Sequence, residues 1–208
     1  MKKLILLAAI TLISGFAQAQ TTDLFISEYV EGSGNNKAVE IFNGSGEAIN
    51  LGEYSLLLYA NGASTATQTM PLNAVDLDTG ETLVLVNSNA AAAELLAYAD
   101  QLTGSLAFNG DDTLVLVKGT QVMDCIGTVG FDPGDSWSCA DGITANTTMR
   151  RKGEVCNGIP SDNDAFNACM EWKFYIVDSF DGLGRHSTDC TAVNNDSGSW
   201  GSLKADYR

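Results

Sequence analysis

The sequence predicts an all-β sandwich with one short inserted helix, followed by a loop-rich C-terminal part that carries the cysteines. Three observations support this prediction. Short runs of alternating or branched apolar residues recur along the chain, Gly, Asn and Asp mark the turns between them, and all five cysteines lie in the C-terminal half. Roughly 190 residues after a leader suffice for one hydrophobic core and are few for two.

The first 19 residues match a Sec-type secretory signal peptide. Lys2 and Lys3 precede an apolar run over 4–13, and Ala17-Gln18-Ala19 offers a small-x-small cleavage site. The apolar run is shorter than the ~20 residues that a membrane-spanning helix needs. We therefore expect a signal peptide at 1–19, a domain over 20–190, a flexible tail over 191–208 and secretion out of the cell, with no membrane span.

The charge balance is strongly acidic. Removing Lys2 and Lys3 from the 11 basic residues leaves nine against 26 acidic ones, a net charge of −17 after cleavage. Affinity for phosphate backbones comes largely from Lys and Arg, so direct nucleic-acid binding is disfavoured. An acidic surface favours solubility and leaves carboxylate-rich loops free to meet cations or basic partners.

The strongest element is a β-hairpin over 24–43, in which two alternating runs flank a Gly-Ser-Gly-Asn-Asn turn. Strict alternation predicts a shared face for Leu24, Ile26, Glu28 and Val30. On the second strand, Val39 and Ile41 are expected to oppose Glu40. Two carboxylates thus fall inside a hairpin where a plain sandwich would carry Thr or Val.

Further apolar runs predict strands over 54–59, 65–70, 82–87, 105–108, 113–117, 121–127, 147–152 and 171–177. The alanine-rich stretch 89–99 predicts the one helix, about three turns long and capped by Ser88 or Asn89. On the strand over 147–152, Arg150 and Lys152 would point one way and Arg151 the other, which splits the basic cluster.

Five cysteines in an exported chain indicate a disulfide framework with one thiol left over. Metal ligation by cysteine is the weaker interpretation, because there is no C-x-x-C pair and His186 is the only histidine. A single imidazole also excludes mechanisms that need two. A Ser-His-Asp arrangement could be imagined from Ser179 or Ser187 with His186 and Asp181. These serines lack the strand-to-helix setting of a catalytic serine, so no catalytic residue is predicted.

Several motifs together resemble one family, the lamin tail domain in its bacterial secreted form. They are ISEYVEGSGNNKAVEIFN at 26–43, GETLVLVN at 80–87, FNGDDTLVLVK at 108–118, DCIGTVGFDPGDSW at 124–137, TMRRK at 148–152, AFNACMEW at 165–172 and DSFDGLGRH at 178–186. They are similar to the segment that precedes the catalytic domain in large secreted bacterial nucleases. The resemblance implies an immunoglobulin-like β-sandwich that brings no catalytic residues.

The resemblance also implies a disulfide between Cys156 and Cys190, since a pair of cysteines near these positions recurs in secreted relatives. Of the remaining three cysteines, Cys125 and Cys139 are the preferred second pair. Cys139 with Cys169 is the alternative.

Polar residues of the hairpin form the candidate binding site: Glu28, Asn36, Lys37 and Glu40. A ligand site is one interpretation. The favoured one is local, with Glu28 accepting N–H bonds from the turn and Lys37 pairing with a neighbouring carboxylate, because buried carboxylates need such partners.

Acidic loops raise the question of Ca²⁺. Four clusters carry the oxygen ligands: Asp76 with Asp78 and Glu81, Asp111 with Asp112, Asp132 with Asp135, and Asp162-Asn163-Asp164. None follows the twelve-residue EF-hand pattern, and Asp and Asn are also common in turns. Calcium therefore stays a hypothesis without nominated ligands.

The sequence and the resemblance together predict a secreted, non-catalytic interaction module that engages an extracellular protein or a surface polymer. One alternative is an accessory subunit of a secreted nuclease. The other is a self-assembling surface or matrix protein, joined through the odd cysteine or an exposed edge strand.

Overall fold

Two facing β-sheets enclose the core in a computed structural model, which describes residues 20–21 and 23–192. The predicted signal peptide at 1–19 lies outside the described residues, and so does most of the predicted tail, 193–208. None of the described helices is long and apolar enough to cross a membrane.

The described strands are β1 (Gln20–Thr21), β2 (Leu24–Glu31), β3 (Lys37–Asn43), β4 (Ile49–Asn50), β5 (Tyr54–Tyr59), β6 (Gln68–Pro71), β7 (Asp76–Leu77), β8 (Thr82–Asn87), β9 (Gln101–Thr103), β10 (Thr113–Lys118), β11 (Gln121–Ile126), β12 (Ser138–Cys139), β13 (Gly142–Ile143), β14 (Thr147–Arg151), β15 (Trp172–Tyr175) and β16 (Thr191–Ala192). The described helices are α1 (Ala93–Leu96) and α2 (Ala168–Glu171), with 3-10 turns at Leu51–Glu53 and Ala60–Gly62.

One sheet has six strands in the order β15-β14-β2-β3-β8-β9, and the other has four in the order β11-β10-β5-β6. Neighbours within both sheets are antiparallel except β8 and β9, which run parallel. Three two-stranded pieces, β1 with β16, β4 with β7 and β12 with β13, complete the fold. The predicted all-β, immunoglobulin-like sandwich is confirmed.

The main core lies between the two sheets. On β5, Tyr54, Leu56 and Leu58 point inward and are buried, while Leu57 and Tyr59 pack on the outer face. Each buried apolar side chain of this size stabilises the fold by roughly 1.5–3 kcal/mol relative to its exposed state. A second apolar cluster on the outer face of the six-stranded sheet joins Val84 and Val86 to Leu95, Phe180 and Leu183.

A β-bulge at Ser27 changes which side chains of β2 face the core. The pairing of β2 with β3 shifts between Ile26 and Glu28. Ile26 therefore faces the core before the bulge and Tyr29 faces it afterwards, while Val30 joins the outer cluster. The predicted common face of Leu24, Ile26, Glu28 and Val30 is wrong, because one extra residue reverses the alternation. The bulge places Glu28 beside Glu40 on the outer face.

The predicted helix over 89–99 is only one turn long, Ala93–Leu96. The Asn36 side-chain oxygen accepts the N–H groups of Ala91 and Ala92, both at 3.0 Å, and holds the preceding residues in a turn. The expected strand over 105–108 is absent, and β9 at Gln101–Thr103 pairs with β8 instead. A second helix, α2, was not predicted; Asn167 caps it by accepting the N–H of Cys169.

Two disulfides cross-link the C-terminal half of the chain. Cys139 is bonded to Cys169 and Cys156 to Cys190, with Cα–Cα distances of 5.9 and 5.7 Å. The preferred pairing of Cys125 with Cys139 is therefore wrong, because Cys125 is buried on the outer face of β11 with Val115 and Val117. The Cys156–Cys190 pair is the one that the resemblance implies. Two disulfides are typical of an oxidising, extracellular environment.

Candidate functional site: a mixed-charge groove

A groove of about 480 Å³ lies on the outer face of the six-stranded sheet, where β2, β14 and β15 meet the segment 182–189. Its lining includes Glu28, Arg150, Lys173, Tyr175 and Arg185. Glu154 and Asp189 line it as well. The groove therefore presents charges of both signs.

Arg150 organises the floor of the groove. Its Nε lies 3.2 Å from a carboxylate oxygen of Glu28, and its Nη2 lies 2.5 Å from Oδ1 of Asp181. The guanidinium also stacks 4.1 Å from the ring centre of Tyr175. Gly182 approaches this pair so closely that a Cβ there would lie 2.2 Å from both Arg150 Nε and Glu28 Oε2. Any larger residue at this point would displace the side chains of Arg150 and Glu28.

Glu40 anchors the segment 178–187, which we call the strap, onto the sheet. One carboxylate oxygen accepts the Ser27 hydroxyl at 2.6 Å. The other accepts the backbone N–H groups of Gly184 at 2.6 Å and Arg185 at 3.2 Å. Burial raises the pKa of Glu40 from its ordinary value, and these hydrogen bonds oppose the rise. Glu40 thus holds one wall of the groove in place.

Burial has a larger effect on Glu28, which is 2% exposed. Desolvation raises the pKa of Glu28 to about 8, against the opposing charge of Arg150 and with a further increase from Glu40. Two carboxylates side by side in low dielectric disfavour each other's charged form.

This pKa predicts how stability depends on pH. Folding raises the pKa of Glu28 from 4.5 to about 8, so above pH 4.5 the folded state keeps a proton that the unfolded chain releases. The free energy of unfolding is expected to fall as pH rises between these values, with this group contributing at most about 1.4 kcal/mol per pH unit. Urea unfolding at pH values from about 5 to 8 should show a shallower slope for Glu28→Gln. Equal slopes for the two proteins would contradict the assignment.

The other two candidate residues lie at the turn of the hairpin. Lys37 pairs with the buried carboxylate of Glu31 and donates to the carbonyl of Gly32 at 2.7 Å. Asn36 binds the backbone before α1, and its amide nitrogen donates to Ser33 Oγ and Asp178. The structure therefore separates the four candidates: Glu28 lines the groove, Glu40 lies under the strap, and Asn36 and Lys37 connect the turn to neighbouring loops.

Lysines and arginines are scarce in the chain, and most of the described ones have partners within the protein. Four of the seven described lysines and arginines form ion pairs with carboxylates: Lys37, Lys118, Arg150 and Arg151. Lys152 donates to the carbonyls of Cys169 and Met170. Lys173 and Arg185 are exposed, form no ion pair with a carboxylate of the described residues, and both line the groove. Arg185 also donates to the backbone carbonyl of Asp181 at 2.9 Å.

Arg150 and Arg151 face opposite sides of β14, as the alternation predicts. Arg151 is buried and its Nη2 lies 2.5 Å from Oδ2 of Asp124 on β11. Its Nε donates to the carbonyl of Ile26, whose N–H donates to the same Asp124 oxygen at 2.8 Å. This ion pair satisfies the backbone groups that the bulge at Ser27 leaves without a strand partner.

His186 has the setting of a packed side chain. It lies edge-on to Phe25 and Phe42, with ring centres 5.7 and 4.9 Å away. Burial lowers its pKa to about 4, so the ring is neutral at neutral pH. Its Nε2 has no hydrogen-bond partner among the described residues, whereas a catalytic imidazole needs a hydroxyl and a carboxylate within reach.

Where their contacts are described, the side chains of the acidic loops accept hydrogen bonds that stabilise turns. Asp112 accepts the N–H of Asn61 at 2.8 Å and the N–H of Asn109 at 3.0 Å, and Asp76 accepts the side-chain amide of Asn50 at 2.6 Å. Over the part of the chain that the structure describes, no group of three or more His, Cys, Asp or Glu is placed to hold a metal ion.

A family model, the Lamin Tail Domain, matches residues 17–130, slightly more than half of the chain. The chain therefore belongs to the lamin tail domain family, a non-enzymatic family of immunoglobulin-like interaction domains. No curated protein and no solved structure matches it. Glu28 lies inside the matched range, whereas Arg150, Lys173 and Arg185 follow it and complete the groove from β14, β15 and the strap.

Sequence reasoning did not identify Lys173, Tyr175 or Arg185. They are separated along the chain and come together only because β15 pairs with β14 and the strap crosses the sheet. The one signal that the sequence offered was the scarcity of cations, because the chain has 11 Lys and Arg against 26 Asp and Glu.

Proposed function

We propose that the chain is a secreted, non-catalytic binding module that engages an extracellular protein through the mixed-charge groove. The observation that carries this proposal is the pair of exposed cations, Lys173 and Arg185, which line the same groove as Arg150, itself ion-paired with Asp181. An acidic group of a partner would complement these exposed charges.

The charge pattern favours a protein over a polyanion. Glu154 and Asp189 line the groove together with the cations, and they would repel successive phosphates of a nucleic acid. A peptide that carries charges of both signs complements such a surface. The acidic net charge of the chain supports the same choice.

The edge of the sheet offers a second recognition element. Within the described residues, β15 pairs only with β14, so its outer edge is available for another strand. The residues at and after its end are exposed, with Ile176 82% exposed beside Tyr175 and Val177. Exposed edges and apolar residues of this kind bind extended peptides by strand addition.

The test is an affinity capture with residues 20–208 as bait and the secreting cell's own secreted and surface fractions as prey. The double variant Lys173→Glu, Arg185→Glu is expected to reduce recovery of the partner at least about tenfold. Reversing two charges that the complex would bury places like charges against each other, which costs several kcal/mol. Lys118→Glu is the matched control, since Lys118 is a partly exposed cation on β10 outside the groove. Equal recovery by all variants would contradict the proposal.

The identity of the captured protein separates the alternatives. Recovery of a nuclease that depends on Lys173 and Arg185 would support an accessory role for a secreted nuclease. Recovery of further copies of the chain alone would instead favour self-assembly through an edge strand. Linkage of copies through Cys125 is not expected, because this thiol is buried and burial raises its pKa well above the ordinary value.

A further inference from the structure

A second cavity, the aromatic pocket, lies outside the groove and between the segments 128–137 and 163–166. Its volume is about 380 Å³ and its walls include Phe131, Trp137 and Phe166 together with Thr128 and Asn163. Phe131 is 55% exposed, whereas Trp137 is 8% exposed and supports the pocket from below. Three aromatic rings around one cavity of this size are a setting for a side chain of a partner.

The pocket is preformed by contacts among its own walls. Trp137 and Phe166 meet edge to face with their ring centres 5.7 Å apart. The Thr128 hydroxyl donates to the carbonyl of Asp164 at 2.8 Å and accepts the N–H of Phe166 at 3.3 Å. The Cys139–Cys169 disulfide joins the chain just beyond each wall. A rigid site of this kind loses little conformational entropy on binding.

The charge around the pocket has one sign. No Lys, Arg or His occurs over 119–149 or 153–172. Four carboxylates lie in the wall segments or directly before them, although none lines the pocket itself: Asp132, Asp135, Asp162 and Asp164. None of the four forms an ion pair with a described residue. The region therefore presents aromatic faces inside a field of uncompensated negative charge.

We propose that the aromatic pocket binds a lysine or arginine side chain of a partner protein. The aliphatic part of such a side chain packs against the rings, the cation is attracted by their π-electron faces, and the surrounding carboxylates complement its charge. An acidic or phosphorylated side chain is disfavoured by the same field. The inference concerns a different surface from the groove and does not rest on the function proposed there.

The test uses the whole chain after removal of residues 1–19, labelled with ¹⁵N, and the probe Nα-acetyl-lysine amide. Nα-acetyl-norleucine amide is the matched neutral probe of similar length. The lysine probe is expected to shift the Trp137 indole N–H and the backbone signals of 128–137 and 163–166. Its affinity is expected to exceed that of the norleucine probe by about fivefold, which corresponds to a cation–π interaction at a partly exposed site.

Two variants locate the binding. Phe131→Leu is expected to lower the affinity for the lysine probe about fivefold. Phe131 is exposed, so the variant is expected to fold, and an unchanged remainder of the spectrum checks this. Tyr175→Leu removes an exposed aromatic ring from the groove and is expected to leave the affinity unchanged. Equal affinity for the two probes, or shifts confined to residues of the groove, or no shifts at all, would overturn the proposal.

Discussion

Replacing Asp124 with alanine is expected to lower the free energy of unfolding by about 3–5 kcal/mol, the cost of breaking a buried ion pair by removing one partner. The side chains of Asp124 and Arg151 are both fully buried. Asp124 also accepts the N–H groups of Ile26, Cys125 and Ile159 at 2.8–2.9 Å. The substitution therefore leaves buried donors without an acceptor, and Arg151 retains only Glu171 as its ionic partner.

Urea unfolding of the chain after removal of residues 1–19 measures this loss. Lys118→Ala is the control, because the pair of Lys118 with Glu53 is long, at 3.8 Å, and exposed, so its removal should change the free energy by less than about 1 kcal/mol. A comparable loss in both variants would contradict a special role for the buried pair. Replacing Asp124 and Arg151 together by apolar residues tests whether the unpaired charge, rather than the missing pair, is responsible.

Removing the Cys156–Cys190 disulfide is the second change with a large expected effect. The bridge closes a loop of 34 residues, and the chain-entropy relation gives about 3.8 kcal/mol for a loop of this length. The effect of Cys156→Ala with Cys190→Ala should therefore approach that of Asp124→Ala. The same variant frees the chain after the strap, where the backbone N–H of Asp189 donates to the carbonyl of Gly153 at 2.8 Å, so binding at the groove should weaken as well.

Unfolding in urea at constant pH compares this variant with Cys125→Ala, which changes a buried cysteine outside both bridges. The control is expected to cost about 1 kcal/mol, as an average core substitution does. If the bridge variant lost no more than the control, the disulfide would contribute little to stability. Removal of Cys139 and Cys169, which close a loop of 30 residues, should cost about as much as removal of the first bridge.

The strands could be predicted from the sequence where apolar alternation is strong and local. The pairing of β2 with β3 and the run Thr113–Lys118 follow from such patterns. The bulge at Ser27 could not be predicted, since the residues on both sides still alternate and the extra residue is compensated only by Asp124 and Arg151, about 100 positions later. The length of α1 was overestimated for a similar reason, because Asn36, which is distant in the sequence, binds the N–H groups of Ala91 and Ala92, and the chain is still extended at Ala92.

The candidate site was predicted in part. Glu28 and Glu40 were singled out as carboxylates within a hairpin. The structure places both on the outer face of the sheet, with Glu40 beneath the strap and Glu28 in the groove beside it. Asn36 and Lys37 were grouped with them by proximity in the sequence, but the hairpin holds them at its far end. The cations of the groove depend on strand pairing between distant segments, which no local pattern reports.

The folding unit extends beyond the range that matches the family, because Arg151 lies outside that range and pairs with Asp124 inside it. The matched range ends at residue 130, so a chain shortened to it would keep Asp124 without Arg151 and would lack β14 and β15. β2, now a central strand, would become an unprotected edge with a buried carboxylate beside it, a combination that promotes aggregation. Limits for producing this domain, or for grafting it onto another protein, are therefore better drawn after Cys190 than at the end of the family match.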